Sequence, residues 1–398
     1  MRVVRARIPR TANVVVLLVV VVGLVGCSNT GNSHASSRLV PPAISVPLDA
    51  TIATGSGEVA VVAMGTLSDP LNTFWQVLFR AGPMARWGVV TPPGVADNGG
   101  LVLSPDPADP GLFAGFEPSQ ALAFSPVALS VDQGRSWSPG LVQGGLANVP
   151  DALSGGSGSG AVALVRNDGG EVLRSTGTTS IESKVASRAA IASSVAGRAC
   201  GVGTLTAVAL DNTGGTLVGA TCTTLGVVGI FGLTGRVWRL VGPRLTGGPG
   251  SDATKVLRLV EVDGVANGLV AVDDGSVTRL IGVAGSAGGV WSRSGALPLG
   301  HEDRIASTGV EPGGGFVVLT QRPNRSLALD LETGPGGPWH ATAAPPRGTA
   351  EVVVGTGGVV DALAVASTQF TDWRLDTSTA SWTKIGTVTV PIQFGSSS

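Results

Sequence analysis

The sequence predicts an all-β protein, a β-propeller built from four-stranded blades, and three observations carry that prediction. Markers, nearly all tryptophan, recur about every fifty residues. The segments between them read as short strands of Val, Leu and Ala broken by Gly, Asn or Asp turns. Composition points the same way, because 60 Gly and 25 Pro with only 13% charged residues suit strands and tight turns and disfavour helices.

The markers are Trp87, Trp137, Ile181, Trp238, Trp291, Trp339 and Trp382. Each follows a turn rich in Gly, Ser, Thr or Asp and is expected to open the outermost strand of a blade. A flat ring there can seal the gap between neighbouring sheets while its indole N–H finds a carbonyl or water. The units align strand by strand. LTAVALD, the turn NTGG, TLVGATC, VVGIFGL and VWRLVG form one, and IASTGV, EPGGG, FVVLTQ, SLALDLE and WHATA form another. Such units from near residue 50 to residue 390 imply seven blades; the first three are irregular, so six or eight stay open. Residues 185–199 come closest to a helical period and read as a brief helix or an extended loop.

The first residues set the expected compartment. Arg2, Arg5, Arg7 and Arg10 precede an apolar run from Val14 to Val25, which is short for a bilayer span and suited to a signal h-region. Leu24-Val25-Gly26-Cys27 resembles the bacterial lipobox, and the resemblance implies cleavage before Cys27 and acylation of its thiol. An ordinary secretory signal or a membrane anchor is the alternative. The expected organisation is a signal peptide over 1–26, a lipidated Cys and flexible tether over 27–48, the propeller over 49–390 and a tail over 391–398. The expected location is the extracytoplasmic face of the cell membrane, held by the acyl anchor.

Without residues 1–26 the chain keeps 22 of 26 basic residues and all 27 acidic ones, a formal charge of −5. No cluster of Arg or Lys stands out, which argues against a nucleic-acid partner. Cys200 and Cys222 remain as an even pair, expected to form a disulfide across the base of the hairpin made by LTAVALD and TLVGATC. Two buried free thiols are the alternative.

Ser130-Val131-Asp132-Gln133-Gly134-Arg135-Ser136-Trp137 resembles the Asp-box, S-x-D-x-G-x-x-W. That resemblance implies a hairpin between the third and fourth strands of a blade, in which Asp132 accepts backbone N–H bonds and Gly134 supplies a positive φ. Asp132, with Ser130 and Trp137, is therefore structural. Asp-box propellers include sialidases, whose resemblance implies a tyrosine nucleophile, and this chain has no tyrosine. Paired carboxylates for another glycosidase cannot be assigned. As a whole the chain resembles bacterial Asp-box-repeat propeller lipoproteins.

Candidate ligand groups lie in loops expected to converge on one side of the ring: Arg166, Asp168, Asp273, Asp274, His301, Asp303, Arg322 and Arg325, with Asp97, Asn98 and Asp252 beside them. The cluster around His301 and the pair Asp273–Asp274 could hold a metal, but polar loops and turns account for both, and no metal or cofactor is expected. The function expected is a non-enzymatic binding or scaffolding module for an envelope protein, peptide or glycan. A carbohydrate-active enzyme or glycan-binding module is the alternative. Cys27→Ser is expected to abolish palmitate incorporation and release the protein from the membrane fraction; labelled, membrane-bound Cys27→Ser protein overturns the lipobox reading.

Overall fold

The computed structural model describes residues 51–390 except 55–56, 66–72, 96–100, 106–110, 117–126, 139–148, 157–161, 167, 176–182, 212, 246–252, 276 and 287–288. The signal segment, Cys27, the tether, the tail after residue 390, Ile181, Asp97, Asn98 and Asp252 lie outside the described residues.

The chain folds as a succession of antiparallel meanders. The first contains β1 (Thr51–Thr54), β2 (Gly57–Gly65), β3 (Thr73–Arg80) and β4 (Gly88–Val89) in spatial order. The next has three described strands, β5 (Leu101–Pro105), β6 (Leu112–Phe116) and β7 (Val127–Ser130). It is followed by β8 (Ala152–Gly155), β9 (Val162–Arg166), β10 (Glu171–Ser175) and β11 (Ser183–Ser187). Two short helices, α1 (Arg188–Ser193) and α2 (Val195–Cys200), occupy the segment that came closest to a helical period. Ser187 and Ser194 cap them, their side chains accepting from the N–H groups of Ala190 and Gly197. Then come β12 (Val202–Leu210), β13 (Thr216–Cys222), β14 (Gly229–Thr234) and β15 (Val237–Leu240).

The following meander is β16 (Ala253–Val262), β17 (Val265–Asp273), β18 (Thr278–Gly285), and the short β19 (Ser292–Arg293) and β20 (Leu297–Leu299) that both pair with β18. A two-residue ladder, Thr221 opposite Lys255 and Cys222 opposite Thr254, joins it to its predecessor in one nine-stranded sheet. The sequence reading did not anticipate that junction. The last two meanders are β21 (Arg304–Val310), β22 (Phe316–Gln321), β23 (Leu327–Glu332), β24 (Trp339–Ala341), and β25 (Thr349–Val354), β26 (Val360–Ala366), β27 (Gln369–Asp376), β28 (Ser381–Thr389).

The core lies between sheets rather than at one centre. Side chains alternate along a strand, so both faces of β2 are buried: Val59, Val61 and Ala63 pack with Leu101, Leu103 and Leu112 of the next meander. Ala60, Val62 and Met64 pack instead with Val353, Leu363 and Phe370 of the last meander. Similar clusters fill each successive interface. Since the last meander packs on the first, the array closes on itself.

Trp339 opens β24, Trp238 and Trp382 are the second residues of β15 and β28, and Trp87 and Trp291 immediately precede β4 and β19; β28 runs for nine residues. Four of the indole N–H groups reach backward. Trp137 donates to Val90 O at 2.9 Å, Trp339 to Gly295 O at 3.0 Å and Trp382 to Ala343 O at 3.1 Å, each just past the fourth strand of the preceding meander. Trp87 has the last meander as its predecessor, and donates at 2.9 Å to the Asp372 carboxylate. Cys200 and Cys222 form the expected disulfide, with Cα atoms 4.9 Å apart.

At the seam between first and last meanders, the Arg80 guanidinium is fully buried. It donates to Glu58 at 2.6 Å, to Asp372 at 2.8 Å and to Asp361, and lies 4.5 Å from the centroid of the Trp87 ring. Arg374 forks onto Asp361 from the other side at 2.9 and 3.1 Å. Burial, then the neighbouring Asp361, raises the pKa of Asp372, and Arg80 opposes them.

Glu332, buried against the β18 strand of the preceding meander, accepts from Phe316 N at 3.1 Å and Gly336 N at 3.0 Å. Burial pushes its carboxyl up to about 7 despite those bonds. Glu261, Glu311, Asp330 and Glu351 are raised by burial as well.

Two outcomes follow. Arg80→Ala leaves buried carboxylates unpaired and is expected to cost about 3–5 kcal/mol, read from the urea midpoint. A carboxyl raised in the folded state favours folding while protonated, and that contribution disappears as pH rises. Thermal stability is therefore expected to fall between about pH 4.5 and pH 7. Glu332→Gln should flatten that slope; an unchanged slope refutes the assignment.

Candidate functional site

Because successive strands alternate in direction, turns joining first to second and third to fourth strands emerge on one side of the array. Turns joining second to third strands, and crossovers between meanders, emerge on the other. The described candidates lie in connections on this crossover side. Arg166 closes β9 and Asp168 follows it; Asp273 closes β17 and Asp274 follows it; Arg322 and Arg325 lie between β22 and β23; His301 and Asp303 lie between β20 and β21.

Three of the carboxylates accept from backbone N–H groups within their own loops. Asp273 accepts from Gly275 N, Asp274 from Val277 N, and Asp303 from Gly300 N, each at 2.8 Å. These carboxylates fix turns. Asp274 also meets Arg279 at 2.8 Å, and Arg166 meets Glu171 at 3.3 Å. Asp168 takes a positive φ of 53°, beside Gly169, whose N–H donates to Asp151 at 2.8 Å. His301 is exposed, and among the described residues no three His, Cys, Asp or Glu side chains are placed to hold a metal.

Arg322 and Arg325 differ from the acids. Arg322 N donates to Ser326 O at 2.9 Å and Arg325 N to Arg322 O at 2.8 Å, closing a tight turn in which Arg325 has φ 65°. Asn324 Oδ1 accepts from Ser326 N at 2.9 Å. The backbone is fixed while both guanidinium side chains are exposed. Asp330 on β23 is raised by burial, an effect that the Arg322 charge opposes.

The innermost strands carry a polar hub that the sequence reading missed. Ser104 Oγ accepts from Gly155 N at 2.7 Å, and Ser154 Oγ from Leu210 N at 3.0 Å. Thr206 Oγ1 donates to Val256 O at 2.6 Å. Arg258 donates to Thr308 O at 2.6 Å and reaches Thr51 O at 2.8 Å. Ser307 Oγ accepts from Val352 N at 3.2 Å and donates to Glu351 Oε2 at 2.6 Å. Apart from the Arg258 bond to Thr51, which runs from β16 to β1, each bond links one innermost strand to the next. Burial holds the Glu351 carboxyl well above the usual range, opposed by the Ser307 bond and the Arg258 charge. Arg258 and Glu351 are both buried and their bonds hold strands together. A signal was available: Ser104, Ser154, Thr206 and Ser307 keep the same spacing of about fifty residues, or twice it, on the inner strands.

The turn after β7 has the expected geometry. Asp132 Oδ1 accepts from Ser136 N at 2.8 Å and Ser130 Oγ at 2.9 Å, and Ser130 Oγ accepts from Gly134 N at 2.7 Å. Gly134 has φ 83° and Gln133 φ 64°. The bonds from Ser136 hold the Asp132 carboxyl below its ordinary pKa. Trp137 follows without a described fourth strand, although Ser138 N donates to Leu129 O at 2.8 Å.

No protein-family model matches the chain, and no curated protein matches its sequence. Solved structures do match in fold. The periplasmic gluconolactonase of Pseudomonas aeruginosa is similar at 15% identity and a TM-score of 0.50, over 83% of this chain and 96% of that one. A protein from Bacteroides uniformis described as a candidate 6-phosphogluconolactonase is similar at 10% identity and a TM-score of 0.50, over 84% and 97%. A lectin of Aleuria aurantia solved with Fucα1-6GlcNAc is similar at 15% identity and a TM-score of 0.42, over 77% and 99%. At these identities the likeness is one of fold. It corrects the expectation that the chain is not an enzyme, because the same frame occurs in proteins described as lactonases. The missing tyrosine removes only the sialidase nucleophile. The described residues form an all-β protein with the β-propeller fold.

Proposed function

We propose that the chain is a seven-bladed β-propeller, each meander being one blade, held by an acyl group on Cys27 at the extracytoplasmic membrane face. On its crossover side it binds an envelope peptide, protein or glycan. The observation that carries the binding site is the Arg322–Arg325 turn. Its backbone is fixed by local hydrogen bonds while two guanidinium groups face solvent. Asp273, Asp274 and Asp303 are occupied by backbone amides, whereas the two guanidinium groups are exposed. Paired guanidinium groups suit a ligand rich in carboxylates, an acidic peptide or an acidic glycan.

A carbohydrate-active enzyme or glycan-binding module of the Asp-box type is the second reading, favoured by the geometry of the Ser130–Trp137 turn. Thermal-shift titration with acidic peptides and envelope polysaccharide fragments, with a sugar lactone assayed for turnover, separates the two. Arg322→Glu with Arg325→Glu is expected to weaken ligand binding by about tenfold or more while leaving stability nearly unchanged, since both side chains are exposed. Unchanged binding overturns the site, and lactone turnover favours the enzyme.

A further inference from the structure

We propose that the disulfide-stapled helical knob between β11 and β12, with the two loops beside it, docks on the surface of an anionic phospholipid bilayer. The knob is unlike any other described connection in the fold. Ile191 is buried in the core cluster beneath it, and Cys200 at the end of α2 is bonded to Cys222 at the end of β13. Thr224 N donates to Cys200 O at 2.9 Å, and Leu245 N to Gly226 O at 2.8 Å. Helices, β13–β14 loop and the segment after β15 thus form one braced projection on the crossover side.

Its outward groups are apolar and basic. Val195 is 78% exposed and Leu225 53%, while Arg188, Arg198 and Arg244 are exposed around them. An aliphatic tip ringed by arginines matches the headgroup boundary of a bilayer, where apolar side chains enter and guanidinium groups meet phosphate. The charge is regional. Residues 188–200, 223–226 and 241–245, which make up the projection, contain Arg188, Arg198 and Arg244 and no acid, a formal +3 within a chain whose total is −1. A neutral or cationic partner has no reason to select that lobe; an anionic surface does.

Orientation agrees. β1 begins at Thr51 on the crossover side, the side that carries the knob, and Cys27 stands 24 positions before it in sequence. This part of the argument rests on the acyl-anchor reading, whereas the charge and exposure do not.

The test is amide hydrogen exchange of the full chain mixed with excess phospholipid discs. One set is phosphatidylcholine alone and the other contains phosphatidylglycerol; acylation is read separately from intact mass, so failure of anchoring and failure of docking are distinguishable. Anionic discs are expected to slow exchange in residues 188–200 and 223–226 by about fivefold or more, with the effect fading at high salt. The triple variant Arg188→Glu, Arg198→Glu, Arg244→Glu should lose the effect, the Arg→Lys triple should retain it, and Leu225→Asp should weaken it. Equal exchange on both disc types overturns the proposal. Slowing by polyglutamate with none by anionic discs also overturns it, and assigns the knob to an acidic protein.

Discussion

A single buried guanidinium holds the ring shut. The described strands of the first and last meanders form separate sheets, and no ladder runs between them apart from an isolated bridge at Gly65 and Ser367. Apolar packing brings the two faces together but does not select one register. Arg80 does, because removing an arginine and three carboxylates from water costs several kcal/mol per ion and is offset only when all meet in hydrogen-bonding geometry. Glu58 belongs to the first meander, and Asp361 and Asp372 to the last, so the offset exists only in the closed ring. Trp87 covers the cluster and spends its own N–H on Asp372.

The remaining interfaces are fastened at two radii. Near the axis, hydroxyl groups and Arg258 tie the innermost strands β5, β8, β12, β16, β21 and β25 in succession through backbone amides and carbonyls. At the periphery, tryptophans reach back to carbonyls of the preceding meander. Between these radii lie aliphatic side chains, which fill space without specifying direction.

Features whose cause is local were legible in the sequence. The Trp spacing marked the fourth strands, the symmetric position of Cys200 and Cys222 about one hairpin indicated their bond, and Ser130, Asp132 and Gly134 specified a turn whose partners lie within four residues. The seam and the hub were hidden because their partners are remote. Arg80 reads as an ordinary strand-end arginine until Asp361 and Asp372 are placed beside it. The candidate site was half legible: alternation of strand direction put its loops on one side, but loop position could not tell acids committed to backbone amides, such as Asp273 and Asp303, from the exposed Arg322 and Arg325. From sequence, residues 185–199 show only a brief helix or an extended loop, since the meaning of the knob depends on loops brought to it by folding.

The seam also sets an order of events. Arg80 bonds to carboxylates 281 and 292 positions further along the chain. The last meander must be made before the guanidinium has its full set of partners. A chain cut short before Asp361 keeps an apolar face on its first sheet and a charge that cannot be hidden there. The fold thereby contains a check on its own completeness, in which one residue near the beginning verifies that the end has been made.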